Sequence, residues 1–450
     1  MSRLVVISNR LPLGDNPSGG LVVALQDSLR NSGGLWIGFS GETPSEPADS
    51  LEYHPGAEYQ RASFDLTPAD HEAYYLGYSN SVLWPLCHGR ADLTDIDPDY
   101  GEGYRRVNAR IAALVAPHIR PDDRIWVHDY QLFPLAAELR ARGIGNPIGH
   151  FLHIPFPGPE NCAVMPDPHE LFEWLSQYDL LGFQTHRDLA NFTESARQLA
   201  ELIPLEGNRI RLCGRELRRD VFPIGIDTAS FIEEARTAQD VDRMRSLTGA
   251  QMMIGVDRLD YSKGIPQRFR AFQLLLENHV EFHEKISFLQ IAPPTREEVE
   301  AYQDIREETE HLAGRINGQF ATVNWTPIRF IHRPLPRNVL AGLYRQARIG
   351  LVTPLADGMN LVAKEYVAAQ DVSDPGVLIL SRFAGAAETM QDALVVNPHD
   401  PHEMAEAMAQ AMHMTANERR QRHSVLLRDV VEHDVSWWSA RYLDALAGAS

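Results

Sequence analysis

Ile349-Gly350-Leu351-Val352-Thr353, followed by Asp357-Gly358-Met359-Asn360-Leu361-Val362-Ala363-Lys364-Glu365-Tyr366, decides how this 450-residue chain folds. The first five residues form a continuous apolar run, the pattern of a strand buried on both faces, and Pro354 ends it. A polar, Gly-containing turn then leads to an amphipathic helix that opens at Asn360. The first backbone N–H groups of a helix have no partner inside it, and the helix dipole adds partial positive charge there. Strand, turn and helix start therefore make a seat for a phosphate. Glu365, just over one turn into the helix, can reach a sugar hydroxyl of the same ligand, so the run points to a nucleotide-sugar.

Strand-like and helical runs alternate outward from this stretch. In the first half, strands are expected at residues 4–8, 124–127, 148–152, 180–184 and 221–223, and helices at 20–31, 131–142, 168–177 and 186–202. In the second half, strands are expected at 252–256, 286–291, 329–331, 349–353, 377–380 and 393–396, with helices at 265–277, 296–317, 336–346, 361–370 and 402–414. Apolar strands alternating with helices imply α/β domains with doubly wound parallel sheets. The length predicts two of them, residues 1–225 and 226–433, joined near Gly225-Ile226-Asp227. A helix at about 434–450, containing Trp437, Trp438 and Tyr442, is expected to pack back on the first domain. Ligands of such sheets sit beyond the carboxyl ends of the strands, which places the site in a cleft between the domains.

Composition narrows the class. A hydrophobic share of 44% and a charged share of 23% fit a soluble globular protein. No stretch approaches the roughly 20 apolar residues that span a bilayer, and the N-terminal run is too short for a secretory signal. Three scattered cysteines (Cys87, Cys162, Cys213) argue against a disulfide framework or zinc site and for the cytoplasm. A net charge of −19 disfavours nucleic acid and anionic membranes, so an anionic substrate needs a local basic pocket.

Arg258-Leu259-Asp260-Tyr261-Ser262-Lys263-Gly264 supplies such a pocket between a strand and a helix. Arg258 by its fork and Lys263 as a point charge can clamp a diphosphate. They also offset charge on a departing nucleoside diphosphate, so neither a metal nor another cofactor is required. Arg258 and Asp260 can alternatively form a surface ion pair; beside the seat at Asn360, Leu361 and Val362, the clamp is the better reading. Arg10, ending the first strand, is a second candidate. Ser18-Gly19-Gly20 fits either a plain turn or a close backbone approach to a ligand. P-loop and dinucleotide fingerprints are both absent. His128-Asp129-Tyr130 ends one strand and His153 the next. Each His either bonds a sugar hydroxyl or is a satisfied structural residue. Asp129 is a general base for an acceptor hydroxyl, the N-cap of the helix at 131–142, or both. Arg296, opening a long helix, and the Tyr75 hydroxyl suit a phosphomonoester, and Trp84 offers a ring face to a sugar, although an aromatic taken alone is more often core than ligand. Asp95-Ile96-Asp97 has the form of an Asp-x-Asp metal motif but lacks a preceding apolar strand, so it reads as surface loop.

Residues 4–10, 33–42, 74–85, 126–130, 151–157, 180–185, 221–226, 258–264, 290–293, 313–318, 351–370 and 381–388 carry a resemblance in their order along the chain. The chain resembles the retaining glycosyltransferases of family 20, the trehalose-6-phosphate synthases, over essentially its whole length. The resemblance implies a GT-B architecture: two Rossmann-like domains facing a cleft, with the donor held mostly by the second. By motif, it implies that Arg258 and Lys263 grip the donor diphosphate and that Asn360, Leu361 and Val362 give it backbone contacts. Glu365 would take the ribose, and Asp357 and His153 the transferred glucose, with Gly20 in a loop closing over the donor. Arg10, Tyr75 and Arg296 would bind the acceptor phosphate, with Trp84 and Asp129 lining the acceptor sugar. Arg258, Lys263, His153 and Asp129 would act at the reacting groups, through a same-face mechanism in which the leaving phosphate takes the acceptor proton. Closure would exclude water.

The expected partners are UDP-glucose and glucose-6-phosphate, with a homo-oligomer as the assembly and neither nucleic acid nor membrane. Cys87-His88-Gly89 departs from the aromatic-rich Phe-His-Tyr usual in the family and lies near the acceptor side. This departure gives room to another phosphorylated acceptor, such as glycerol-3-phosphate. A catalytically silent sugar-phosphate sensor is the reading from a different class, and the intact clamp residues count against it. No fused phosphatase domain is expected.

Overall fold

The apolar run Leu4-Val5-Val6-Ile7 is fully buried in the computed structural model, which describes residues 2–13, 25, 29–30, 33–55, 58–238, 251–296 and 298–448. The chain divides into two compact units, Met1–Ile224 with Ser436–Ser450, and Gly225–Val435. The first holds β1 (Leu4–Arg10), β2 (Leu35–Phe39), β3 (Glu52–His54), β4 (Gln60–Phe64), β5 (Arg124–His128), β6 (Ile148–Phe151), β7 (Leu180–Phe183), β8 (Leu202–Pro204), β9 (Arg209–Leu212) and β10 (Arg215–Val221). Among the described residues these form one ten-stranded sheet in the order β3-β4-β2-β1-β5-β6-β7-β10-β9-β8. Pairing is parallel from β4 across to β10 and antiparallel only at the flanks. Helices cover both faces of a parallel sheet, which is why β2, β6 and β7 are buried at every position.

The second unit holds β11 (Gln251–Val256), β12 (Ile286–Ile291), β13 (Ile328–Ile331), β14 (Ile349–Val352), β15 (Val377–Ser381) and β16 (Leu394–Val396). They are all parallel, in the order β13-β12-β11-β14-β15-β16. Phe269, Phe272, Phe288, Ile316 and Met408 pack in its core. In both sheets the strand order reverses once among the central strands, between β1 and β5 and between β11 and β14. Connections leave such a point in opposite directions and open a crevice at the carboxyl strand ends. Arg10 and Asp129 follow the first reversal; Asp257 to Lys263 and Thr353 to Asp357 follow the second.

Several elements differ from the sequence expectation for identifiable reasons. The strand expected at 221–223 ends instead at Val221, because β10 begins at Arg215 as a partly exposed, charged strand paired with β9. β2 is not anticipated, since Gly33, Gly34, Gly38 and Gly41 give its surroundings the look of a loop. The helix expected at 131–142 is a 3-10 turn, Tyr130–Leu132, and a helix, Leu135–Ala141, with Pro134 between them lacking an N–H. The helix expected from Arg296 starts at Glu300, because Arg296 has a φ of +50°, outside the helical region. The helix expected at 20–31 lies mostly outside the described residues, as does Gly20.

Two local features shape the first unit. Glu72–Leu83, which carries Tyr75, winds as a π-helix. Ser79 Oγ, Asn80 Nδ2 and Ser81 Oγ donate to the carbonyls of Tyr74, Tyr75 and Leu76, stabilising the wide turns with side-chain donors. Near the C-terminus, fully buried Trp438 and Tyr442 pack on Trp126 of β5, with ring centroids 5.0 and 4.3 Å away. No helix among the described residues is long and apolar enough to cross a membrane.

Candidate active site

Charge concentrates at the second reversal. Asp260 starts the short turn Tyr261–Lys263 by accepting the Ser262 N–H at 2.9 Å, and Gly264 follows with a φ of +67°. A Cβ on Gly264 would lie 2.6 Å from the Thr353 carbonyl oxygen, so glycine lets the turn press against the chain leaving β14. The Leu355 N–H donates to the Ser262 carbonyl at 2.7 Å and locks the two loops together. Lys263 Nζ is thereby brought 2.5 Å from Asp357 Oδ2, which also accepts from Asn360 Nδ2 at 3.0 Å. Asn360 has a φ of +71°, a conformation Asn tolerates, and immediately precedes the helix Leu361–Ala369. Its Oδ1 is buried with no hydrogen-bond partner among the described residues. Arg258 is exposed.

A fully buried guanidinium organises these loops. Arg268 Nη1 lies 2.6 Å from Asp257 Oδ2 and 3.1 Å from Gln290 Oε1. Its Nε donates to Thr353 Oγ1 at 2.9 Å and its Nη2 to the Lys263 carbonyl at 2.8 Å. One cation thus ties the residues after β11 and β14, a side chain of β12, and the Lys263 turn. Burial pushes the Asp257 carboxyl up, against the opposing pull of Arg268 and Lys263. Sequence reasoning missed Arg268. The available signal was a cation within the apolar stripe Ile265, Phe269 and Phe272 of one helix.

Asp260 is buried too, which counts against the alternative of an exposed surface pair with Arg258. Its Oδ2 accepts from Tyr302 Oη at 3.0 Å and lies 3.6 Å from Arg296 Nη1, which donates to Tyr302 Oη at 2.5 Å. Glu365 is half-buried near the Arg337–Glu234 pair, whose atoms are 2.8 Å apart. Burial pushes its carboxyl up to about 7, with Arg337 opposing and Glu234 adding to the rise.

The first reversal sets uncharged histidines beside Asp129. Asp129 has a φ of +73° and does not cap the following turn with its side chain, contrary to the helix-cap reading. Its Oδ1 accepts the His153 N–H at 3.2 Å, and its carbonyl accepts from His150 Nε2 at 3.1 Å. His153 Nε2 stands 3.0 Å from His128 Nδ1. Burial drives the His128 imidazole well below its usual range, His150 down to about 4 and His153 down to about 3, leaving all three uncharged near neutrality.

The remaining first-unit candidates surround these strand ends. Arg10 is exposed and lies 5.7 Å from the Phe39 ring centroid; a Cβ on Gly41 (φ +101°) would fall 2.2 Å from its Nη2. Tyr75 packs on His71 at 5.2 Å. Trp84 exposes 3% of its surface and packs between His88 at 4.0 Å and Tyr130 at 5.7 Å. Cys87 and His88, from the segment that departs from the family pattern, are both buried. Asp97 caps the helix Pro98–Val115 by accepting the Asp99 N–H at 2.8 Å, a structural duty for the Asp-x-Asp run.

The structure therefore joins Lys263, Asp357 and Asn360 directly, with Leu361 and Val362 next in the chain and Glu365 one turn on. It joins Asp129 with His153. Arg10 and Tyr75 belong to the first unit and Arg296 to the second.

A family profile for Glycosyltransferase family 20 matches residues 10–448. A trehalose-6-phosphate synthase of Klebsiella pneumoniae is 46% identical over 452 residues, covering 99% of this chain and 95% of that protein. The crystal structure of an alpha,alpha-trehalose-phosphate synthase (UDP-forming) from Burkholderia xenovorans, in complex with glucose-6-phosphate, superposes with a TM-score of 0.95 at 45% identity, covering 99% of this chain and all of that one. A solved E. coli structure bound with UDP-2-fluoro glucose gives a TM-score of 0.95 at 44% identity, covering 99% of each chain. With two doubly wound α/β units in the GT-B manner and this match along nearly its whole length, the chain belongs to glycosyltransferase family 20.

Proposed function

We infer that this chain is a retaining glucosyltransferase that moves glucose from UDP-glucose to glucose-6-phosphate, giving α,α-trehalose-6-phosphate and UDP. The observation that carries the reading is the Lys263–Asp357–Asn360 contact at the start of the Leu361–Ala369 helix. A cation, a carboxylate and unpaired helix amides meet there, as a sugar diphosphate requires. The relatives solved with a UDP-glucose analogue and with glucose-6-phosphate support both substrates.

In this reading Arg258 and Lys263 hold the diphosphate and offset the charge that builds on UDP as the glycosidic bond breaks. The amides of Leu361 and Val362 bind the same phosphates, and Glu365 takes the ribose hydroxyls. Asp357 and His153 hold the glucose, with the Gly20 loop beside the donor. Arg10, Tyr75 and Arg296 bind the acceptor phosphate, while Trp84 and Asp129 line the acceptor sugar. The acceptor hydroxyl attacks from the face that UDP leaves, and its proton passes to the departing phosphate oxygen. We assign residues 1–225 with the helix at about 434–450 to the acceptor side, and residues 226–433 to the donor. A homo-oligomer in the cytoplasm is the proposed setting, and the free thiols of Cys87, Cys162 and Cys213 suit a reducing compartment.

UDP release from UDP-glucose tests the assignment, with glucose-6-phosphate and glycerol-3-phosphate offered separately and the product linkage read by NMR. Release with glucose-6-phosphate and an α,α-1,1 linkage is expected. Release with glycerol-3-phosphate alone would move the function to another osmolyte precursor. In the same assay Arg296→Ala is expected chiefly to raise the KM for the phosphorylated acceptor.

A further inference from the structure

His128 and His153 meet nitrogen to nitrogen at 3.0 Å, so a single proton lies between them. Two arrangements are available to a neutral pair. If His153 donates from Nε2, His128 accepts at Nδ1 and must carry its own proton on Nε2. That atom is enclosed and has no hydrogen-bond partner among the described residues. A buried N–H without an acceptor is rarer and costlier than a buried lone pair without a donor. The opposite arrangement avoids the orphan: His128 donates from Nδ1, and its Nε2 keeps only a lone pair. His153 Nε2 then accepts, and the one remaining His153 proton sits on Nδ1.

We propose that His128 is a positioning residue that fixes the His153 imidazole as an Nδ1–H donor, so that His153 gives a hydrogen bond to a sugar oxygen and cannot serve as a base. The role toward sugar rests on the placement of His153 at the transferred glucose. The ring is braced by Phe151, whose centroid is 4.7 Å away, and the His153 backbone is tied to Asp129 Oδ1. His150 does not compete for the shared proton, because its Nε2 donates to the Asp129 carbonyl. An extra proton on His153 Nε2 would face the His128 N–H head-on, and burial opposes that charge independently. With His153 restricted to donating, the acceptor proton must leave by another route, which agrees with transfer to the departing phosphate.

The full chain labelled with 15N-histidine tests the tautomer directly, since two-bond 15N–1H correlations distinguish Nδ1–H from Nε2–H in the ligand-free enzyme. Protonated Nδ1 on both His128 and His153 is expected; a proton on His153 Nε2 overturns the proposal. His128→Asn puts an amide nitrogen near the Nδ1 position and keeps the donor. His128→Asp replaces the donor with an acceptor and should move the His153 proton to Nε2. His128→Asp is expected to lose about 10- to 100-fold in kcat/KM, and His128→Asn far less. Equal losses in the two variants, or wild-type kcat/KM in a folded His128→Asp, overturn the positioning role. If His128→Asp does not fold, the tautomer of the wild-type pair decides alone: Nδ1–H on His153 supports the proposal and Nε2–H overturns it. Wild-type kcat/KM in His153→Ala would remove His153 from the sugar site, a failure separable from the tautomer measured without substrate.

Discussion

Around the carboxyl ends of β5 and β6, uncharged histidines bond to one another and to Asp129, whereas around the end of β11 cations are held by carboxylates. Both clusters occupy the reversal of a parallel sheet, so topology alone does not dictate their chemistry. A buried cation needs a counter-charge whether or not a ligand is bound. Asp357, Asp257 and Asp260 supply it to Lys263, Arg268 and Arg296. The histidines need no such partner, because burial has already removed their charge. On the proposed reading, one cluster serves a highly charged diphosphate and the other orients hydroxyls.

The contrast can be broken by substitution. The largest expected effect is on folding: Arg268→Met strands the buried Asp257 carboxylate, and urea unfolding should show a loss of about 3–5 kcal/mol. A loss under about 1 kcal/mol would mean that the guanidinium hub does not hold these loops. Next, Lys263→Ala should lower the rate of UDP release about 10²- to 10³-fold while the circular dichroism spectrum stays native. Near-normal turnover would sink the clamp.

Asp129→Asn should cost only about tenfold in kcat/KM, because Asn keeps an oxygen for the His153 amide and tolerates the +73° φ. A deficit as large as that of Lys263→Ala would make Asp129 a base and end the neutral account of the β5 cluster. The smallest effect concerns Glu365. Its carboxyl rises from 4.5 when unfolded to about 7 when folded, so between these values the folded chain binds more protons and stability falls as pH rises. Glu365→Gln removes that slope. Solvent at the edge of this half-buried group screens the effect, leaving a relative gain of about 1 kcal/mol above the window, measurable by unfolding on both sides of it.

Sequence legibility followed the range of the interactions. The apolar strands β1, β6, β7, β12, β14 and β15 announce themselves because each is buried locally on both faces. Lys263, Asp357 and Asn360 were readable as loop residues after strands, and the fold brings them within hydrogen-bond distance. Arg268 was not readable, since its partners Thr353 and Gln290 lie 85 and 22 residues away. The burial of Asp260 was not readable, because Tyr302, its distant partner, gives no local sign. The helix-cap alternative for Asp129 arises because Asp before a helical pattern usually is a cap; contacts to His150 and His153 hold its carbonyl and its carboxylate elsewhere.

The Lys263–Asp357 pair also bears on how the enzyme lets go. On the proposed reading, phosphate oxygens would compete with Asp357 for Lys263, and the carboxylate would act as a tethered competitor. It would then weaken the grip on donor and on spent nucleotide alike. A diphosphate loosening from Lys263 would find the carboxylate within reach to replace it, so on that reading UDP would leave by an exchange of partners and not by exposing a bare buried ammonium. On that reading the same contact would shorten product residence and limit product inhibition.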